Sequence, residues 1–174
     1  VRSGVWKGVT LGSPIVLEVV NRDAKLERLD DLPRPRPGHG DLTGALKYLG
    51  SIRGVLERAS ARETAARVAV GALSKQLLAH FGMTVFGFVV EVGGERIEPV
   101  AGTLDELRAI RDGSELYGLN PARDPAIKAM IDLAGKEGDT LGGVVEVQVH
   151  GAPFGVGTHA QWDRKLDGRL AQAV

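Results

Sequence analysis

Two short stretches concentrate the residue types that anion chemistry needs. The first is Arg34-Pro35-Arg36-Pro37-Gly38-His39-Gly40-Asp41, with two arginines and a histidine set among prolines and glycines. Proline fixes its own φ and pushes the residue before it into extended backbone, so the two arginine side chains are expected to project in similar directions. Glycines on either side of His39 permit tight turns and close approach of a ligand. A histidine held there is an acid–base group for neutral pH; a solvated turn carrying a surface histidine is the plainer reading of the same residues.

The second stretch is Glu57-Arg58-Ala59-Ser60-Ala61-Arg62-Glu63-Thr64. Ser60 and Glu63 stand at capping-box spacing, which predicts a helix opening at Ser60. A helix N-terminus flanked by Arg58 and Arg62 favours an anion, and the planar guanidinium suits phosphate because it donates two parallel hydrogen bonds. The glycines and Lys-Ser/Thr pair of a Walker loop are missing. Gly138-Asp139-Thr140-Leu141-Gly142-Gly143 reads as a turn before a strand and does not match a dinucleotide fingerprint. His150 and His159, the latter after Gly155-Val156-Gly157-Thr158, have no carboxylates at ligand spacing, which disfavours a metal. His80, near the end of a long helix, is expected to interact with its C-terminal dipole.

The elements that must hold these stretches follow from periodicity. Ser13 to Val20 is β-branched and predicts a buried strand. Asn21 to Gly40, with three prolines, predicts a long loop, which in a compact domain is usually functional or mobile. Asp41 is placed to cap a short helix through Tyr48. Ser60 to Phe81 carries Ala65, Val68, Ala69, Ala72, Leu73 and Leu77 at helical spacing and ends at Gly82. Val85 to Val92 predicts a strand, Gly93-Gly94 a hairpin turn, and Arg96 to Val100 its return. Thr103 with Glu106 opens a helix to Arg111, and Asp124 to Gly135 predicts another. Thr140 to His150 alternates as a strand, Gly151 to Gly157 is a loop, and Asp163 to Val174 is helical. Hairpins and long helices mix without strict strand–helix alternation, so the fold class expected is α+β.

Composition bounds the rest. The 174 residues, 43% hydrophobic and 25% charged, suffice for a single soluble domain over 1–174. Lys plus Arg (22) balances Asp plus Glu (22), so no global field draws nucleic acid or a membrane surface, and an anion site must come from local clustering. The lack of cysteine removes disulfides, thiolate metal sites and cysteine nucleophiles, and agrees with a reducing cytoplasm. No apolar run approaches the ~20 residues of a membrane span, and no signal peptide is expected from the opening residues. The sequence starts at Val1 in strand-like residues without an initiator Met, so cut ends are expected.

Together these stretches resemble one family. Arg34 to Leu42, RPRPGHGDL, is similar to the RPRPGHADL segment of chorismate synthases. Glu57 to Leu73, ERASARETAARVAVGAL, resembles that family's signature of Ser-Ala-Arg followed by Thr, Val and Gly at fixed spacing. Gly138 to Val147, GDTLGGVVEV, and Gly155 to Ala171, GVGTHAQWDRKLDGRLA, resemble further family segments in the same order. The departures are local: Gly40 stands where alanine is usual, and Leu49-Gly50-Ser51-Ile52-Arg53 is shorter than expected, with serine where aspartate is common. Two family segments have no counterpart, an N-terminal one with Gly-x-Ser-His-Gly and a C-terminal one with further flavin-binding residues. The resemblance therefore implies the central part of a longer chain.

The resemblance implies a β-α-β sandwich, with helices packed between antiparallel sheets, assembled as a homotetramer. It implies a lyase of the shikimate pathway of aromatic amino acid biosynthesis. That enzyme eliminates phosphate from 5-enolpyruvylshikimate-3-phosphate to give chorismate, using reduced FMN with no net redox change. NADPH stands as a candidate reductant of the flavin. By the same resemblance Arg58, Ala59 and Ser60 match the FMN-binding stretch, Ser60 and Arg62 face the substrate, and His39 is an active-site histidine that transfers a proton to the reduced flavin. The alternative is a truncated, catalytically inactive fragment that binds FMN or phosphate.

Overall fold

The computed structural model describes residues 1–22 and 28–174. The chain falls into two compact units, residues 1–77 and 78–174. Helices and small antiparallel sheets share it, the α+β composition expected.

The first unit opens with a hairpin of β1 (Val5–Trp6) and β2 (Val9–Thr10), unforeseen in the sequence. Lys7 and Gly8 turn it with φ of 48° and 80°, the positive pair that a two-residue hairpin of right-handed twist requires. The buried strand expected over Ser13 to Val20 does not form. Among the described residues its ladder is a single bridge, Ser3 to Val16, and Val16, Val19 and Val20 are exposed. A β-branched run becomes a strand only where a partner backbone takes its hydrogen bonds. The loop expected over 21–40 includes residues 23–27, which lie outside the described residues; over 28–40 the backbone is irregular, as expected.

Helix α1 (Asp41–Tyr48) and helix α2 (Ile52–Arg58) form a tight helical hairpin. Leu49, left-handed at φ 50°, ends α1, and Ser51 caps α2 by accepting from the Gly54 N–H at 3.0 Å. The helices meet at Gly44. A Cβ built there would lie 2.3 Å from Val55 Cγ1, so glycine is what lets the two axes approach. Asp31 anchors the preceding loop by accepting from the Arg53 N–H at 3.0 Å, and Arg53 Nε donates to the Asp30 carbonyl at 2.7 Å. Helix α3 (Glu63–His80) starts three residues later than the spacing predicts. It ends as predicted: Gly82 sits at φ 74°, and Met83 N–H reaches back to the Leu78 carbonyl at 2.9 Å. No residue of α3 is buried.

In the second unit β3 (Thr84–Val92) pairs with β4 (Glu95–Arg96) through Gly93-Gly94, both at positive φ, and with β5 (Gly143–His150) on its other side, all antiparallel. β4 is shorter than the predicted return over Arg96 to Val100, and β5 starts at Gly143 rather than Thr140. Phe86 and Phe88 share one face of the sheet and form the core with Leu119, Val90, Leu104 and Leu107. Helix α4 (Leu104–Gly113) covers that face and carries the predicted capping box of Thr103 and Glu106. Helix α5 (Asp124–Glu137) follows. Asp124 is buried, accepting from the Ser114 hydroxyl at 2.9 and 3.0 Å and from the Glu115 N–H at 2.8 Å. The C-terminal helix expected from Asp163 splits into a short 3-10 turn at Trp162–Arg164 and α6 (Leu166–Ala173), because Lys165 adopts extended backbone at ψ 139°.

Candidate functional site

The Arg34–Asp41 stretch closes on itself. Arg36 donates to the Asp41 carboxylate three times: from its backbone N–H at 3.0 Å, from Nε at 2.9 Å and from Nη2 at 3.0 Å. The two side-chain bonds form the parallel fork that a guanidinium makes with a carboxylate. Asp41 was expected to cap α1; it is instead the first residue of the helix, Gly40 occupies the cap position, and no side chain caps it. A negative charge in the first turn still complements the helix dipole. The Arg36 side-chain hydrogen bonds lead the causes that hold the Asp41 carboxyl down from an ordinary 3.8 to about 2, followed by the Arg36 backbone N–H. The same pairing means that Arg36 does not project beside Arg34 as an open anion ligand. His39 lies inside this closure, exposed, between Gly38 at φ 72° and Gly40.

The second stretch forms the turn between α2 and α3. Arg58 ends α2 and Ala59 is its C-cap, with its N–H donating to the Val55 carbonyl at 2.9 Å. Ser60 is not the first residue of a capping box. Its hydroxyl accepts from the Arg62 N–H at 3.2 Å, while the Glu63 N–H donates to the Ser60 carbonyl at 3.0 Å. This bond to a backbone N–H two residues on shapes the turn that leads into α3. Arg62 Nη1 donates to Glu57 Oε2 at 3.2 Å, across the turn.

Arg58 and Ala59 line a cleft of about 580 Å³ in the α1–α2 hairpin. Gly40, the neighbour of His39, lines it too, with Gly44, Lys47 and Tyr48 of α1. The structure thus brings the ends of both motifs to one cavity, although eighteen positions separate Gly40 from Arg58. Helix α2 makes this juxtaposition, and sequence reasoning missed it; Ser51 at the cap position was the available signal. Arg62 is not on this cleft. It lines a second one, of about 660 Å³, whose walls include Ala65, Ala69 and Leu73 of α3 with Ile15 and Val19.

The remaining histidines stay apart. His80, the last residue of α3, meets Phe81 edge-on at 5.7 Å. His150 pairs with Gln148 Oε1 at 3.0 Å. Among the described residues no group of three or more His, Asp or Glu is placed to hold a metal, and no helix is long and apolar enough to cross a membrane.

Comparison with known proteins covers this whole chain. The family model described as Chorismate synthase matches residues 1–174. A relative named Chorismate synthase from Geobacter metallireducens is 52% identical over 185 residues, covering 99% of this chain and 47% of the relative. Another of that name, from Brevibacillus brevis, is 46% identical over 187 residues, covering 99% of this chain and 48% of the relative. A solved structure described as "Crystal Structure of Chorismate Synthase" superposes with a TM-score of 0.84 at 42% identity, covering 99% of this chain and 50% of that one. The chain spans about half the length of the curated relatives it matches.

Proposed function

The chain belongs to the chorismate synthase family, and on that premise we propose that the intact protein carrying it converts 5-enolpyruvylshikimate-3-phosphate to chorismate. The observation that carries this reading is the convergence of the two family motifs on the α1–α2 cleft, with Arg58 and Ala59 on its wall and His39 one residue from Gly40. The inactive-fragment reading has no comparable observation behind it.

The lining of the cleft suits reduced FMN. Gly44, Val55, Ala59 and the Tyr48 ring offer flat apolar walls, while Lys47 and Arg58 supply cations for a phosphate tail. When bound, reduced FMN would supply transient electron density as the C–O bond to phosphate breaks and the C6 proton is lost, so that the elimination balances with no net oxidation. Every other part belongs to the chain. Arg58 and the Ala59–Ser60 turn hold the flavin. Arg62, beside the N-terminus of α3, holds the anionic substrate, and Glu57 fixes its guanidinium until the substrate arrives. Ser60 orients that arginine through its backbone N–H and presents its hydroxyl to the substrate. His39 moves a proton at the flavin, the acid–base role for which imidazole is suited near neutral pH. The same reading makes the protein a cytoplasmic homotetramer of the shikimate pathway, with NADPH as a candidate source of reducing equivalents.

The test is anaerobic incubation of the intact protein with 5-enolpyruvylshikimate-3-phosphate and dithionite-reduced FMN. Chorismate formation that requires both is expected. Release of phosphate without chorismate, or tight flavin binding without turnover, refutes the reading.

A further inference from the structure

The loop that carries His39 has little to hold it. His39 is exposed, and a Cβ built on Gly38 or Gly40 would meet nothing within 4 Å, so packing does not fix the segment. Two glycines beside the histidine add backbone freedom. At its far end the loop is tied to α1 through the Gly40 carbonyl, which accepts from Gly44 N–H at 2.9 Å and Thr43 Oγ1 at 3.2 Å. At its near end, the described tie is the triple donation from Arg36 to Asp41. The Asp41 side chain is 1% exposed and anchored in the first turn of α1, so it is the fixed partner; Arg36, at 44%, is the strap.

We propose that Asp41 is a positioning residue for the reaction, acting through Arg36 to close the Pro37–Gly40 loop and hold His39 beside the α1–α2 cleft. The inference rests on the function proposed above and on His39 as the proton-transferring group. It adds a residue that touches neither flavin nor substrate. The low carboxyl pKa of Asp41 agrees, because it keeps the carboxylate charged and the fork intact throughout the neutral range. Misplacing a catalytic group by about 1 Å from a distance is enough to cost on the order of 100-fold in rate.

The test is a double-mutant cycle in the intact protein with Asp41→Asn, His39→Ala and both together. Turnover is measured with prereduced FMN and normalised to bound flavin. Asp41→Asn is isosteric but removes the charge that holds the guanidinium. Turnover of that variant is expected to fall at least about tenfold, a part of the roughly 100- to 10,000-fold that a general acid–base group contributes. KM for the substrate should stay within about twofold, because the changed group contacts no substrate. In the His39→Ala background the same change is expected to do nothing more, since a residue that acts only through His39 has no effect once His39 is gone. Asp41→Glu, which restores the charge, is expected to recover part of the loss. Equal losses in both backgrounds overturn the inference and leave a structural role, as does failure to fold with either Asn or Glu. Wild-type turnover in His39→Ala removes the group Asp41 is said to place. An unsubstituted protein with no turnover refutes the proposed function itself, a separate outcome from the rest.

Discussion

Replacing Gly44 by alanine tests the helical hairpin on which the cleft depends. In an isolated helix this change is favourable by about 0.5–1 kcal/mol, because glycine loses more backbone entropy than alanine on folding. Here the new Cβ would lie 2.3 Å from Val55 Cγ1, 3.1 Å from Cγ2 and 3.3 Å from Cβ. Ordinary carbon contacts fall at about 3.5–4.0 Å, so α1 and α2 must separate by roughly 1 Å, or Val55 must leave its rotamer. Overpacking of this kind costs about 1–3 kcal/mol. The difference is a net destabilisation of up to about 2.5 kcal/mol. Urea denaturation of the intact protein reads it as a lowered midpoint at unchanged slope. Gly135→Ala in α5, where a Cβ meets nothing within 4 Å, is the control and should stabilise by about 0.5–1 kcal/mol. Val55→Ala should be less harmful in the Gly44→Ala background than alone, by about 1 kcal/mol of coupling. Because Gly44 and Val55 both line the cleft, flavin affinity should fall with the hairpin. A Gly44→Ala protein as stable as the Gly135→Ala control refutes the close helix contact.

Arg62→Ala should weaken binding of 5-enolpyruvylshikimate-3-phosphate by about 10- to 100-fold, as loss of a charge-assisted hydrogen bond does, while leaving FMN affinity nearly unchanged; calorimetry in the presence of FMN separates the two. Ser114→Ala should cost about 2–3 kcal/mol, because the buried Asp124 carboxylate loses its hydroxyl donor and the Leu116 and Gly118 N–H groups lose their acceptor; thermal or urea unfolding reads it. The Asp41 pairing makes stability depend on pH in one direction. The folded pKa, about 2, lies below the ordinary 3.8, so the contribution is complete above about pH 4 and is lost as pH falls toward 2. Asp41→Asn should abolish that part of the acid transition.

The elements with strong periodicity or paired turn signals were legible. Thr103 with Glu106 marked α4, Gly82 ended α3, and Gly93-Gly94 joined β3 to β4, each through a local rule that the fold leaves intact. Helix α2 was not legible. It has seven residues, carries Gly54 inside it and follows Gly50, so its pattern is too short and too glycine-rich to announce a helix. The Ser13 to Val20 stretch misled because strand propensity reports a side chain's fit to a sheet, not the presence of a pairing partner. Both candidate stretches stood out by residue type, yet their local hydrogen bonding did not. Asp41 has the chemistry of a cap and Ser60 the spacing of one. The first, at the start of α1, pairs with Arg36 of the preceding loop, and the second bonds the Arg62 N–H within the α2–α3 turn, choices set by local loop geometry that carries no period. For the same reason, that Gly40 and Arg58 share a cleft emerges only once α1 and α2 are packed.

The central claim is that this protein performs an elimination in which reduced flavin is required and not consumed. The direct measurement is a stoichiometry under strict anaerobiosis: phosphate and chorismate released, and the flavin spectrum recorded, with substrate in large excess over prereduced FMN and no other reductant. The account predicts equal amounts of phosphate and chorismate, many turnovers per flavin, and a spectrum that ends as reduced as it began. Product formation that stops at one equivalent per flavin with the flavin oxidised, or turnover that proceeds with no flavin at all, would contradict it.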